Sequence, residues 1–207
     1  LAFMDEKGMM FVEEYTLVAC ADYILSQKPG NTVSNLSSTR ALRDVTEKHG
    51  GTYTASAVGE VNVVNAMKAT QAVIGGEGNG GIIYPESHFG RDALVGVALF
   101  LSLLAERKMA VSALRASYPS YFMSKKKIDL NPSIDVDAIL VAMEAKYANE
   151  QISTIDGVKI DFPTEWVHLR KSNTEAIIRN YTEAPSQSAA DQLADKIISE
   201  IKAIAGI

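Results

Sequence analysis

Two short segments of this 207-residue sequence gather side chains suited to a hydroxyl-rich or charged ligand. The first is Gly75-Gly76-Glu77-Gly78-Asn79-Gly80-Gly81, set between apolar runs. Glycines let the backbone approach a ligand closely and adopt positive φ, while Glu77 offers an acceptor and Asn79 both a donor and an acceptor. Such a pair suits vicinal hydroxyls. Gly76, Gly78 and Gly81 also satisfy GxGxxG, but the dinucleotide fingerprint needs a helix immediately afterwards, to set its N-terminus against the pyrophosphate. Ile82-Ile83-Tyr84-Pro85 reads as a strand instead. A purely structural glycine turn fits the same composition.

The second segment is Arg170-Lys171-Ser172-Asn173-Thr174-Glu175, followed by Arg179. Two guanidiniums, two hydroxyls, an amide and loop N–H groups match the donors that a phosphate needs. A solvated polar hairpin has the same inventory, so composition alone does not choose between them. A third stretch, Tyr84 to Asp92, carries His88, one of three histidines. Near a cleft His88 would serve as general acid or base; elsewhere it would be structural. His49 and His168 have no comparable neighbours in sequence.

The elements that position these segments follow from periodicity and punctuation. Apolar residues at helical spacing predict a helix over Glu13–Gln27, stopped by Pro29-Gly30-Asn31. A strand over Thr32–Leu36, a helix capped by Ser37 or Ser38 and running through Lys48, and a strand over Thr52–Thr54 make a β-α-β unit. A helix over Glu60–Lys68, strands over Gln71–Gly75 and Gly81–Tyr84, and a long helix over Asp92–Arg107 complete an α/β layer pattern. The charged run Met123-Ser124-Lys125-Lys126-Lys127 reads as an interdomain linker. Beyond it, strands at Ile128–Leu130, Gly157–Phe162, Glu165–Arg170 and Ala176–Tyr181 lie between helices at Val136–Tyr147 and Ser186–Ala205, an α+β pattern. In the last helix Leu193, Ile197, Ile198, Ile201 and Ile204 form an apolar stripe suited to covering a sheet.

Composition narrows the class further. With 47% hydrophobic and 22% charged residues the chain can bury a sizeable core. Its net charge of −5, with lysine and arginine scattered, argues against nucleic acid as a partner. The single cysteine, Cys20, excludes an internal disulfide, and no apolar run reaches membrane-spanning length, so a cytoplasmic protein is expected. Leu1 to Met4 and Met9 to Val12 read as strands around a turn at Gly8; a start inside a strand creates the expectation that further residues precede Leu1.

Together these segments resemble the α-D-phosphohexomutases, the family of phosphoglucomutases, phosphomannomutases and phosphoglucosamine mutases. The run from Glu77 is similar to the family's sugar-binding GExSGH loop, and Arg170 to Arg179 to its RxSNTEPxxR phosphate loop. Thr54 to Glu60 is similar to its TxVG segment, and the three occur in family order. Gly81 stands where histidine is common and Ala176 where proline is common.

The resemblance implies a three-layer α/β/α domain with a mixed sheet over 13–124, then a smaller α+β domain over 125–207 with a four-stranded antiparallel, TBP-like sheet. Residues 1–12 would be a terminal hairpin of a preceding domain. It implies that Glu77, Gly78 and Asn79 hold the sugar, and that Arg170, Ser172, Asn173, Thr174 and Arg179 grip the non-reacting phosphate. His88 is expected to replace the histidine absent at Gly81. The implied reaction is an isomerase-type intramolecular phosphotransfer between hexose or hexosamine 1-phosphate and 6-phosphate, through phosphoserine and a bisphosphate intermediate. The phosphoserine and the Mg²⁺ loop would sit in the family's first and second domains, as partners within the same protein, with no metal ligand on this chain. Alone, the chain is expected to be inactive. The rival expectation is a non-catalytic phosphosugar-binding or interaction module.

Overall fold

The computed structural model describes residues 1–131, 134–172 and 177–206, and divides into two compact units, Leu1–Ser120 and Tyr121–Ile207. Unit 1 is built on four short strands, β1 (Thr32–Asn35), β2 (Tyr53–Ser56), β3 (Ile74–Glu77) and β4 (Gly81–Ile83). They lie in the order β2-β1-β3-β4, with β1 parallel to both β2 and β3, and β4 antiparallel to β3. The helices are α1 (Glu13–Gln27), α2 (Ala41–Lys48), α3 (Glu60–Thr70), α4 (Ala93–Arg107) and α5 (Val111–Ala116).

Two adjacent glycines of β3 show why the sheet is sandwiched. Successive strand residues face opposite sides. A Cβ at Gly75 would meet Met67 Sδ of α3 at 2.6 Å, and one at Gly76 would come within 3.3 Å of Leu17 Cδ1 of α1. Helices α3 and α1 therefore cover opposite faces; Met67 of α3 approaches closely enough to require glycine at 75, whereas at 76 the nearest obstacle is the Gly81 carbonyl oxygen at 1.9 Å. On the α3 side Val33, Val63, Met67, Ala72 and Ile83 form the core.

The hairpin at the start of the chain closes through a Met4–Met10 bridge, with Gly8 at φ 75°. Phe3 stacks on Phe100 of α4 with centroids 3.8 Å apart, and Phe11 meets the same ring edge-on. The Cys20 thiol is buried, and desolvation pushes its pKa up to about 12, which makes it inert.

In unit 2 a wholly antiparallel sheet of β5 (Phe122–Asp129), β6 (Gln151–Ser153), β7 (Val158–Asp161), β8 (Trp166–Lys171) and β9 (Ile177–Ala184) runs in the order β5-β9-β8-β7-β6. Helices α6 (Val136–Lys146) and α7 (Gln187–Ala205) cover one face, burying Ile128, Ile160, Leu169, Ile178, Ile139 and Ile197 among others. Of the expected stripe, Leu193, Ile197 and Ile201 are buried, whereas Ile204 is exposed.

The sheet has five strands rather than four. The added one, β6, is three residues of partly exposed edge, too short for periodicity to reveal. The expected linker Met123–Lys127 is instead the middle of β5, paired residue by residue with β9. Ser124 and Ile128 point into the core while Lys125 and Lys127 point outward, as suits an edge strand. Three consecutive lysines, two facing outward and Lys126 paired with Asp195, give this strand the composition of a linker.

Two further departures lie in unit 1. Helix α2 starts at Ala41 with no serine cap, because Ser38 is engaged elsewhere, and β3 starts at Ile74 because Gln71 is the left-handed C-cap of α3. Among the described residues no helix is long and apolar enough to cross a membrane.

Candidate functional site

The chain leaves β1 toward β2 on one side, and β2 returns through α3 to β3 on the other. The carboxyl ends of β1 and β3 therefore flank a topological switch point, where open α/β sheets leave a crevice. Asn35 ends β1 and Glu77 ends β3. The Asn35 Nδ2 donates to Glu77 Oε1 at 3.1 Å, and its Oδ1 accepts from Ser37 N–H at 3.0 Å and Ser38 Oγ at 3.1 Å. Ser38 Oγ in turn accepts from Gly78 N–H at 3.0 Å. The serine expected to cap a helix thus ties one strand's end to the loop after the other.

That loop is tight on every side. A Cβ at Gly78 would fall 2.0 Å from Glu14 Oε2, which is itself held by Thr39 N–H at 3.0 Å, so only glycine fits. Gly80, at φ 82°, closes the turn by donating to Glu77 O at 3.2 Å. Asn79 Oδ1 accepts from Gly81 N–H at 3.1 Å, and its exposed amide nitrogen has no partner among the described residues. The loop is followed by β4 rather than a helix, so it has no helix N-terminus to offer a pyrophosphate.

The place beside Gly81 is taken by Arg91, whose Cδ would lie 2.7 Å from a Cβ there. His88 does not fill it. Instead His88 Nε2 pairs with Asp92 Oδ2 at 3.1 Å, and Asp92 caps α4 by accepting from Leu94 and Val95 N–H. Those bonds, that from Val95 N–H foremost, hold the Asp92 carboxyl below its usual pKa. Arg91 bonds both Glu60 and Glu77, and with Glu60, Asn79, Gly80 and Gly81 it lines an open cavity of about 450 Å³.

In unit 2 the second segment occupies the ends of β8 and β9. Arg170 and Arg179 are direct partners across the ladder, and Lys127 of β5 is the next residue in the same row. Residues so paired share one face, here the face turned away from the helices. Like charges set side by side repel unless an anion lies between them. Arg170 reaches Asp156 at 3.7 Å and Lys127 reaches Asp129 at 3.0 Å. Ser172 is buried, and its N–H donates to Ile177 O at 3.1 Å, closing the loop. Asn173 and Thr174 lie outside the described residues.

The neighbouring row on this face carries His168 and Lys159, directly paired. His168 Nε2 meets Asp156 O at 2.7 Å, and burial pushes its pKa down to about 4, against the opposing pull of that bond. Lys159 lies over the Trp166 ring, whose Nε1 donates to Glu183 Oε1 at 2.7 Å.

Two family models match consecutive parts of the sequence. Residues 13–121 match the phosphoglucomutase/phosphomannomutase α/β/α domain III, and residues 125–200 the C-terminal domain of the same proteins. The chain belongs to the phosphoglucomutase/phosphomannomutase family. Among hexomutase relatives it is 30% identical over 204 residues to a probable phosphoglucosamine mutase of Methanopyrus kandleri, covering 98% of this chain and 45% of that one. It is 32% identical over 189 residues to a phosphoglucomutase/phosphomannomutase of Thermococcus kodakarensis, covering 91% and 41%. A solved phosphoglucomutase/phosphomannomutase family protein from Burkholderia thailandensis shares the fold, with a TM-score of 0.79 at 23% identity over 98% of this chain and 44% of that one. The chain therefore corresponds to the C-terminal half of the hexomutase family and spans about 45% of its relatives' length.

Within this hexomutase half, sequence reasoning missed the residues that hold Glu77 in place. Asn35, Ser38, Glu14, Glu60 and Arg91 come from four separate stretches, and none sits in a glycine- or arginine-rich run. The dense polar run Asn35 to Arg40, between a strand and a helix, offered a signal, and Glu60 and Arg91 each lie in a stretch singled out for another reason.

His49 also has unforeseen company. Its Nε2 meets Asp22 Oδ1 at 2.8 Å, in a buried cluster with Arg107 at 2.6 Å and Tyr118 at 2.9 Å that ties α1, α4 and the end of α5 together. Burial, reinforced by the Asp22 charge, raises the Tyr118 pKa, so the phenol stays a donor.

Proposed function

We propose that this chain supplies sugar and phosphate recognition to a phosphohexomutase that interconverts hexose or hexosamine 1-phosphate and 6-phosphate through a phosphoserine and a bisphosphate intermediate. The observation that carries the reading is Glu77 at the switch point. Its buried carboxylate is pre-oriented by Asn35 and Arg91 beside an open polar cavity and next to the exposed amide of Asn79. A fixed acceptor beside a free amide donor suits a vicinal diol.

The Arg170–Arg179 pair supports the second half of the reading. A phosphate set between two facing guanidiniums relieves their repulsion and accepts several charge-assisted bonds at once. Anchored there, the non-reacting phosphate turns remote binding energy into alignment of the hydroxyl that receives or returns the phosphoryl group. The bisphosphate must bind either way round, so one fixed clamp serves both half-reactions.

The family resemblance implies Mg²⁺ for the transfer step. Among the described residues no group of three or more His, Cys, Asp or Glu is placed to hold a metal, so the described residues do not fit that ion and no step is derived through it. On this reading the chain's residues bind and orient, and the phosphoserine is supplied from elsewhere in the enzyme.

The test is a turnover assay of the natural gene product and of residues 1–207 alone, on glucose, mannose and glucosamine 1-phosphates. The natural product is expected to convert at least one, and the 207-residue chain none. Turnover by the isolated chain overturns the division of labour. Phosphosugar binding without turnover by the natural product replaces the enzyme with a binding module.

A further inference from the structure

One charged side chain of the sugar loop's surroundings has only a positioning role in that reading and no contact with the ligand. Arg91 follows the loop by ten residues, yet it is the side chain that fills the space beside Gly81. Glu60, in the first turn of α3, grips it twice: the Arg91 backbone N–H donates to Oε1 at 2.9 Å and its Nε to Oε2 at 2.8 Å. Those bonds, the backbone one foremost, lower the Glu60 pKa, so the bracket stays ionised.

Held in this way, the guanidinium donates through Nη1 to Glu77 Oε2 at 3.3 Å. With Asn35 on the other oxygen, both oxygens of the buried Glu77 carboxylate are engaged and its plane is fixed. Nη2 has no partner among the described residues, and the half-exposed side chain lines the cavity beside Asn79. A guanidinium has five donors in a rigid fork. Here Nε and Nη1 are spent on protein carboxylates, which leaves Nη2 as the end available to a ligand.

We propose that Arg91 is a further sugar-reading residue of this site: it locks the Glu77 carboxylate in one orientation and presents Nη2 to an acceptor oxygen of the hexose. The inference rests on the reading of Glu77 and Asn79 as sugar ligands. A small residue at position 81 is part of the device, since any Cβ there displaces the Arg91 stem.

The test is an NMR titration of the 207-residue chain with glucose 6-phosphate and, separately, with inorganic phosphate, which probes the other unit's arginines. In the wild-type chain the hexose phosphate is expected to shift the Gly78–Gly81 amides and the Arg91 Nη resonances, while inorganic phosphate shifts neither. Arg91→Met is expected to weaken glucose 6-phosphate about tenfold, the loss of one charge-assisted bond, and to leave inorganic phosphate unchanged.

Arg91→Lys should recover little, because an ammonium cannot bond Glu60 and Glu77 and still face the cavity. Glu60→Gln, which keeps the size of the bracket, should weaken the hexose phosphate in the same direction. If Arg91→Met binds glucose 6-phosphate as the wild type does, the role of Arg91 is overturned and the Glu77 reading survives. If the wild-type loop amides do not move at saturating glucose 6-phosphate, both readings fall together.

Discussion

The two candidate loops are built on opposite principles. The loop of unit 1 proposed to read the sugar is a tertiary assembly: Glu77 is oriented by Asn35 from another strand and by Arg91 from beyond β4, and Gly78 is wedged against Glu14 of α1. The segment of unit 2 proposed to hold the phosphate is a secondary-structure assembly, where the β8–β9 register alone sets Arg170 beside Arg179. In the first, buried polar groups satisfy one another and the empty site is a stable arrangement. In the second, like charges face each other across a ladder. The first site should therefore be coupled to folding, and the second to its ligand.

The largest effect tests whether unit 2 is free of buried polar constraints. His168 has a folded pKa of about 4 against an unfolded value near 6.5. Its folded pKa is depressed, so the neutral native ring gives full stability above pH 6.5, and stability is lost as pH falls toward 4. Integrated over that window the loss is about 3 kcal/mol. Urea unfolding of wild type and His168→Gln at pH 7 and pH 4.5 is expected to show a much steeper acid loss for wild type. Parallel curves would mean that the ring is not held neutral by burial.

Next in size, Asn35→Ala leaves one oxygen of a buried carboxylate unpaired and frees Ser37 and Ser38, a cost of about 2–3 kcal/mol. Gly78→Ala forces a methyl into the Glu14 carboxylate and should cost about 1–3 kcal/mol. Both are read from the urea midpoint at constant slope. If either variant is as stable as wild type, the coupling of this site to folding is lost.

The same contrast explains what the sequence disclosed. Helix α1 was legible to the residue because a long apolar period ended at Pro29-Gly30, and the α/β and α+β textures of the two units followed from element order. The loops themselves were visible because glycine and arginine are locally dense. What escaped was whatever depends on distant pairing. Ser38 looked like a helix cap, since nothing local says that Gly78 needs its oxygen. Lys125 to Lys127 looked like a linker, because an edge strand's outward lysines mimic a solvated one. Arg91 lay in the stretch singled out for His88, and its bond to Glu77 exists only once β3 and β4 pair. In unit 2 register was enough to place the arginines, and register is the part of tertiary structure nearest to sequence.

The smallest stability effect is the most discriminating. Arg179 lies in the middle of the row Lys127–Arg179–Arg170, and its two neighbours each have a carboxylate of their own, whereas Arg179 has no ion-pair partner among the described residues. Among the described residues, removing its charge takes away repulsion on both sides and no favourable pair. Arg179→Gln should therefore leave unfolding stability within about 0.5 kcal/mol of wild type, or raise it slightly. On the proposed reading the same substitution removes a phosphate donor, so affinity for inorganic phosphate should fall about tenfold, and by less at high salt, where the wild type is already screened. A loss of stability matching that of Asn35→Ala would show that the row is held by protein contacts after all. The two loops would then differ in sequence signature alone.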